Sequence, residues 1–146
     1  MTARLCAFAR LPSVDQRLLI QASLLLSVIA VGLRVLPFRI LQRFIARLTS
    51  APTPSDIADD RSIDRLVWAV KTTSRYVPGT TCLVQAMASK VLLARRGYPT
   101  RLRIGVTRGE GRTFQAHAWL EREGVIIFGE SDIDYTSLPP LDGEPQ

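Results

Sequence analysis

The sequence has very few side chains that bind transition metals or exchange protons near neutral pH. Of its 146 residues, one is histidine and two are cysteine. The cysteines, Cys6 and Cys82, are far apart and lack the paired spacing of a zinc site. No phosphate-binding glycine loop and no dinucleotide-binding fingerprint is present. We therefore expect no metal and no cofactor, which leaves Cys82 and His117 as the residues to consider for chemistry.

Acidic residues are scarce in the first part of the chain. Residues 1–54 contain seven arginines and one acid, Asp15, whereas the other 92 residues contain twelve basic and twelve acidic side chains. The net charge of +6 therefore comes entirely from the N-terminal part. Such a segment can bind an acidic partner or an anionic membrane, or it can be a solvated face. Nucleic acid is disfavoured because no aromatic-and-basic stacking pattern accompanies the charge.

No apolar run reaches the length of a full membrane span. The longest, residues 18–33, has sixteen residues with polar interruptions, against about 20 for a span. It begins after Asp15, which is too deep for a cleavable signal. We predict a buried or partner-facing helix to about residue 34 and a cytoplasmic protein, with membrane association as the alternative.

The N-terminal part is predicted to be helical. A second helix, 38–48, would carry Arg39, Arg43 and Arg47 on one face, and these are our candidates for partner docking. A proline-containing linker then suggests an N-terminal helical arm, 1–54, and a catalytic unit, 55–146, within one compact domain.

Cys82 lies at the predicted start of a later helix, where Thr80 or Thr81 can provide the cap. Apolar residues recur at helical spacing after it, and Gly97 is suited to the helix end. A cysteine in a first turn faces unpaired backbone N–H groups and the positive end of the helix dipole. Both favour the nucleophilic thiolate. The alternative is an inert buried cysteine.

Three strands are predicted after this helix, over residues 101–106, 114–122 and 125–129. They follow several helices, so we predict an α+β fold in which the Cys82 helix packs on a small antiparallel sheet. The tail that follows is predicted to be irregular.

A two-residue glycine-containing turn between the last two strands sets an expected register. It places Phe128 opposite Trp119 and Glu130 opposite His117, with Asp132 diagonal to the histidine on the same face. A helix-start cysteine, a strand histidine and a nearby carboxylate are typical of papain-like and transglutaminase-like thiol sites. Taken singly, His117 can be a hydrogen-bonded core residue. Glu130 and Asp132 can be solvated residues beyond the end of a strand.

Several segments resemble the lasso-peptide maturation B2 proteins, which are transglutaminase-like cysteine peptidases. They are C-L-V-Q-A at Cys82, R-R-G-Y-P-T-R-L-R-I-G-V at 95–106, and H-A-W-L-E from His117 with the following G-V-I-I-F-G. The pattern L-P-S-V-D-Q-R-L-L-I-Q-A-S-L-L-L, followed by L-P-F-R, is similar to the start of such proteins. The resemblance covers most of the chain, although H-A-W is shared by the wider superfamily.

The resemblance implies a peptidase that removes the leader from a ribosomally made precursor peptide. Cys82 would be the nucleophile and His117 the base. Asp132 would be the third member, because the wider family's aspartate follows its histidine at a matching spacing, and Glu130 is the alternative from the hairpin register. The Cys82 backbone N–H is the first oxyanion donor to consider. Other oxyanion or substrate candidates are Gln85, Gln115 and Trp119.

The resemblance also implies partners. These are the precursor peptide, a separate leader-recognition protein and a cyclising enzyme, with no nucleic acid. Two other functions remain open at this point. One is a different acyl transferase or amidase on the same fold. The other is a non-catalytic, membrane-associated adaptor in which Cys82 and His117 are core residues.

Overall fold

The structure is a computed structural model that describes residues 8–50, 60–108, 114–130 and 135–138. Four helices precede four strands in the described part of the chain. The predicted helices and strands are present with small shifts of their ends. A short strand in the tail, which was predicted to be irregular, is the exception. The elements are α1 (Ser13–Val35), α2 (Phe38–Thr49), α3 (Asp60–Ser74), α4 (Cys82–Ala94), β1 (Arg101–Arg108), β2 (Phe114–Arg122), β3 (Val125–Phe128) and β4 (Thr136–Ser137).

The four strands form one antiparallel sheet in the order β3-β2-β1-β4. Helix α4 packs on β2 and β1. Leu102, Ala118 and Leu120 are buried and belong to the same hydrophobic cluster as the α4 residues Met87 and Leu93. The α+β prediction, with the cysteine-bearing helix on a small antiparallel sheet, is therefore confirmed.

Helix α1 is apolar on both sides but buried on only one. Leu26 and Ile29 are almost fully buried in the core, whereas Leu24, Val28 and Val31 are more than half exposed. By length and composition alone, this helix could cross a membrane. The predicted burial is therefore correct for one face, and the other face is an exposed apolar surface.

One hydrophobic cluster includes residues from all four helices and the sheet, from Leu18 to Phe128. Helix α1 contacts both α3 and α4, and α2 contacts α4. Side chains from both sides of the proposed boundary at 54/55 thus share a core. The boundary itself stays a prediction.

The β2–β3 hairpin confirms the predicted turn but not the predicted register. Arg122 pairs with Val125 across a two-residue turn, and both turn residues have positive φ. A β-bulge then makes Phe128 pair with Leu120 instead of with Trp119. The bulge adds one residue to β3, so Phe128 points into the core while Trp119 lies on the other face of the sheet. The expected pair of His117 with Glu130 was also wrong. The pairing between β2 and β3 ends at Leu120 and Phe128, before it reaches either residue.

An ion pair joins α1 to α3. The Arg65 Nε donates to the Asp15 Oδ1 over 2.6 Å, and the Asp15 side chain is only 12% exposed. The hydrogen bond from Arg65 holds the pKa of Asp15 below its ordinary value. A carboxylate whose pKa is lowered on folding stabilises the fold above its unfolded pKa, and that contribution is lost as the pH falls through the folded value.

We expect Asp15→Asn to lower the melting temperature at neutral pH, because Arg65 then loses its charged acceptor. The difference from the wild type should shrink as the pH falls below about 3.9, where the unfolded carboxylate is itself protonated. Thermal melts across this range check the prediction. Asp64→Asn, at an exposed position of α3, is the control and should change the melting temperature little at neutral pH.

Candidate functional site

Cys82 is the first residue of α4, and the residues before it fix its position. The Thr81 Oγ1 accepts a hydrogen bond from the Val84 N–H over 3.4 Å, as the capping prediction required. The Thr80 hydroxyl lies 2.8 Å from the Ser74 carbonyl, at the end of α3. The Cys82 side chain is half-buried, with Sγ 4.0 Å from the Ala116 carbonyl oxygen on β2. The thiol therefore lies against the strand that carries the histidine.

The orientation of His117 is set by a main-chain group. Its Nε2 lies 2.6 Å from the Gly129 carbonyl oxygen. A carbonyl oxygen can only accept, so Nε2 must carry the ring proton and the neutral ring has its unprotonated nitrogen at Nδ1. This tautomer leaves Nδ1 able to accept a proton, which is what a general base requires.

Two aromatic rings support the imidazole. Trp119 and Tyr135 both stack with His117, with ring centroids 6.3 and 5.2 Å away. Gly105 lies opposite His117 on β1, and a Cβ added there would lie 2.6 Å from the Tyr135 Cβ and 2.8 Å from the Trp119 Cζ3. The two rings thus occupy the space that a side chain at position 105 would need.

Gly129 allows β3 to approach β2 closely enough for the histidine hydrogen bond. Its φ is +83°, a conformation that residues with a Cβ rarely adopt. A Cβ there would lie 2.8 Å from the Ala118 carbonyl oxygen. Both constraints require glycine at the residue whose carbonyl accepts from His117.

Cys82 and His117 open onto one cleft of about 540 Å³. The Gln85 side chain, one helical turn after Cys82, also lines it, so an amide donor lies on the same side as the helix N-terminus. The backbone N–H groups of a first helical turn have no partner within their helix. The lining residues are Lys71, Cys82, Gln85, His117, Ala118, Phe128, Gly129 and Glu130.

A thiol at a capped helix start and a strand histidine with a fixed tautomer agree with the result of a family comparison. The model of the transglutaminase-like superfamily matches residues 24–139. The chain belongs to this superfamily. Its members are generally cysteine-dependent enzymes. No curated protein and no solved structure matches the chain.

The structure brings together some of the predicted site residues and leaves others apart. Glu130 lines the cleft that contains Cys82 and His117, and its side chain is exposed. Gln115 is exposed on β2, and neither it nor Trp119 lines the cleft, since Trp119 packs over Gly105 instead. Asp132 lies outside the described residues. In the described part of the chain, no three His, Cys, Asp or Glu side chains group as metal ligands.

The docking candidates Arg39, Arg43 and Arg47 are all exposed on α2. They lie away from the cleft that contains Cys82. Arg39 and Arg43 line a separate cavity, and Arg47 does not.

Two site residues were not predicted from the sequence. Lys71, near the end of α3, lines the cleft with its Nζ 5.8 Å from the Phe128 ring centroid. It adds a positive charge to the lining of the cleft. Tyr135 stacks on His117 from the segment that was predicted to be irregular. The only signal for Tyr135 was the presence of an aromatic residue in the tail, and Lys71 had no signal.

Proposed function

We propose that this protein is a cysteine peptidase that removes the leader from a ribosomally made lasso precursor peptide. The observation that carries the proposal is that Cys82, at a capped helix start, and His117, with Nε2 on the Gly129 carbonyl, line one cleft. Membership of the superfamily supports cysteine-dependent acyl chemistry. The C-L-V-Q-A, R-R-G-Y-P and H-A-W-L-E segments support the narrower assignment to leader removal.

The proposed reaction proceeds through an acyl-thioester. His117 takes the thiol proton at Nδ1, and the Cys82 sulfur attacks the scissile carbonyl carbon. The oxyanion is held by the Cys82 backbone N–H with the Gln85 amide as a second donor. Collapse of the tetrahedral intermediate breaks the C–N bond, and the imidazolium gives its proton to the leaving amine. His117 then activates water, which hydrolyses the thioester to a free carboxylate and regenerates the thiol.

The leader is proposed to be held by a separate recognition protein, with a cyclising enzyme acting on the product. A strand edge is the usual device for capturing an extended peptide. All strands in the described ranges belong to the sheet that carries His117. Ordering a flexible leader costs entropy, so a second protein that presents it would favour cleavage.

The proposed location is the cytoplasm, with peripheral membrane contact through the N-terminal helices. The exposed apolar residues of α1, including Leu24, Val28 and Val31, support such contact. The seven arginines of residues 1–54 add attraction to an anionic surface.

The test is mass spectrometry of a candidate precursor incubated with this protein, with and without the leader-recognition protein. We expect a leader and a core peptide with free termini, and a rate about 10²-fold or more lower without the helper, the lower end of the gain from tethering. An amine-linked product would indicate a transglutaminase-like transferase. Equal rates with and without the helper would contradict the split arrangement, and an active Cys82→Ala variant would contradict a thiol peptidase.

A further inference from the structure

A second cavity, of about 660 Å³, lies between α2, the second half of α4 and the start of β1. None of the described residues lines both this cavity and the cleft that contains Cys82. Its volume is in the range of about 300 to 1,000 Å³ that is typical of ligand sites. The lining residues are Arg39, Gln42, Arg43, Ile45, Ala46, Thr49, Ser50, Met87, Lys90, Ala94, Gly97, Pro99, Thr100 and Leu102.

Among the described residues, the charged side chains that line this cavity are all basic. They are Arg39, Arg43 and Lys90. Within residues 8–50, 60–108, 114–130 and 135–138, no acid pairs with Arg39 or Arg43. Two guanidinium groups that have no acidic partner among these residues favour an anionic ligand. A planar guanidinium can donate two parallel hydrogen bonds to one carboxylate, so a carboxylate ligand suits it well.

Two hydrogen-bonding groups in the cavity wall have no partner. The Gln42 Nε2 and the Thr100 Oγ1 are buried and unpaired, and they are two of the four such side-chain atoms in the described part of the chain. Leaving a buried polar atom unpaired costs free energy. A ligand with acceptor oxygens would satisfy the Gln42 amide and the Thr100 hydroxyl together.

The floor of the cavity is apolar. Ile45, Met87 and Leu102 are at least nine-tenths buried and line it. A small inorganic anion has no apolar group that could contact these side chains. A ligand that carries apolar groups beside its carboxylates would cover it, and acidic peptides with interspersed apolar residues have this character.

We propose that this cavity binds an acidic peptide segment of a partner, with its carboxylates on Arg39 and Arg43. The Gln42 amide and the Thr100 hydroxyl donate to its remaining oxygens, and an apolar side chain of the segment packs on the Met87 floor. The site is independent of the peptidase assignment, since it lies outside the catalytic cleft.

The test uses two short labelled peptides, one of alternating Glu and Leu and one of alternating Gln and Leu. Each is titrated into the ¹⁵N-labelled full chain and followed by NMR, which detects weak binding. The Glu peptide should shift the Gln42 side-chain amide and the Thr100 backbone amide, and the Gln peptide should not. Equal shifts with both peptides, or no shift at Gln42 and Thr100, would overturn the proposal.

Three variants on the same helix locate the site. Arg39→Gln and Arg43→Gln should each weaken binding of the Glu peptide about tenfold or more, as expected for a lost charge-assisted hydrogen bond. Arg47→Gln removes the same charge outside the cavity and should change affinity little. All three positions are exposed, so the fold should persist. An equal loss with Arg47→Gln would mean general surface attraction and would refute the site. Inorganic phosphate that binds these amides more tightly than the peptide would instead indicate a small-anion site and contradict the proposal.

Discussion

Cys82→Ala should lower the turnover number for precursor cleavage by a factor on the order of 10⁶, the size of the loss when a serine peptidase loses its nucleophile. His117→Ala should cost about as much, because the thiol and its base act as one unit. The double variant should therefore be no slower than either single one. Single-turnover assays with the leader-recognition protein present measure these rates.

The other cysteine provides the matched control. Cys6→Ala removes a thiol outside the described residues and should leave the cleavage rate unchanged. Iodoacetamide should label Cys82 faster than Cys6 in the folded protein, and His117→Ala should slow the labelling of Cys82. Wild-type cleavage by a folded Cys82→Ala variant would mean that the residue is a core cysteine and that the protein acts as an adaptor.

Asp132→Asn should lower turnover by roughly 10² to 10⁴, the range for loss of the carboxylate in comparable triads. Glu130→Gln should cost little. The Glu130 side chain is exposed, and the strand pairing that would have placed it opposite His117 is absent. Cleavage assays on the two variants separate the candidates. If neither substitution slows the reaction, the Gly129 carbonyl alone orients the base and the site is a dyad.

The histidine tautomer can be measured directly, because the chain contains a single histidine. ¹⁵N-histidine labelling gives one ring signal set, and the shifts should show a proton on Nε2 and none on Nδ1. An Asp132→Asn variant that keeps this tautomer while losing activity would assign Asp132 to stabilising the imidazolium. A proton on Nδ1 in the wild type would contradict the Gly129 hydrogen bond.

Local sequence chemistry was sufficient to predict the elements that carry the site. Thr81 caps α4 because its hydroxyl can reach the Val84 N–H, a contact within four residues. Glu123 and Gly124 form the hairpin turn because both adopt positive φ. Such features depend on residues that are close along the chain. They were therefore sufficient to predict that Cys82 begins a helix and that His117 lies on a strand.

The hairpin register could not be predicted from the same pattern. Residues 125–128 are all apolar, so no alternation specifies which of them faces the core. Burying Phe128 beside Leu120 requires one extra residue in β3, and the bulge supplies it. The consequence for the site was large, because the His117 Nε2 bonds to the main-chain carbonyl of Gly129 instead of to the carboxylate of Glu130.

The places of Lys71 and Tyr135 at the site could not be predicted from the sequence for a different reason. Each reaches the site through packing between elements, α3 against β3 for Lys71 and the tail against β1 for Tyr135. No spacing rule links either residue to Cys82 or His117. Contacts of this kind can be predicted only when the order of the strands in the sheet is known.

The absence of a side chain at Gly105 has a consequence for engineering the protein. The residue does not line the cleft, yet Trp119 and Tyr135 fill the space beside it, and both rings stack with His117. A library that randomises only the lining residues would miss this position. Even alanine at 105 would have to displace a ring that supports the base, so the tolerance of position 105 to mutation should be that of an active-site residue.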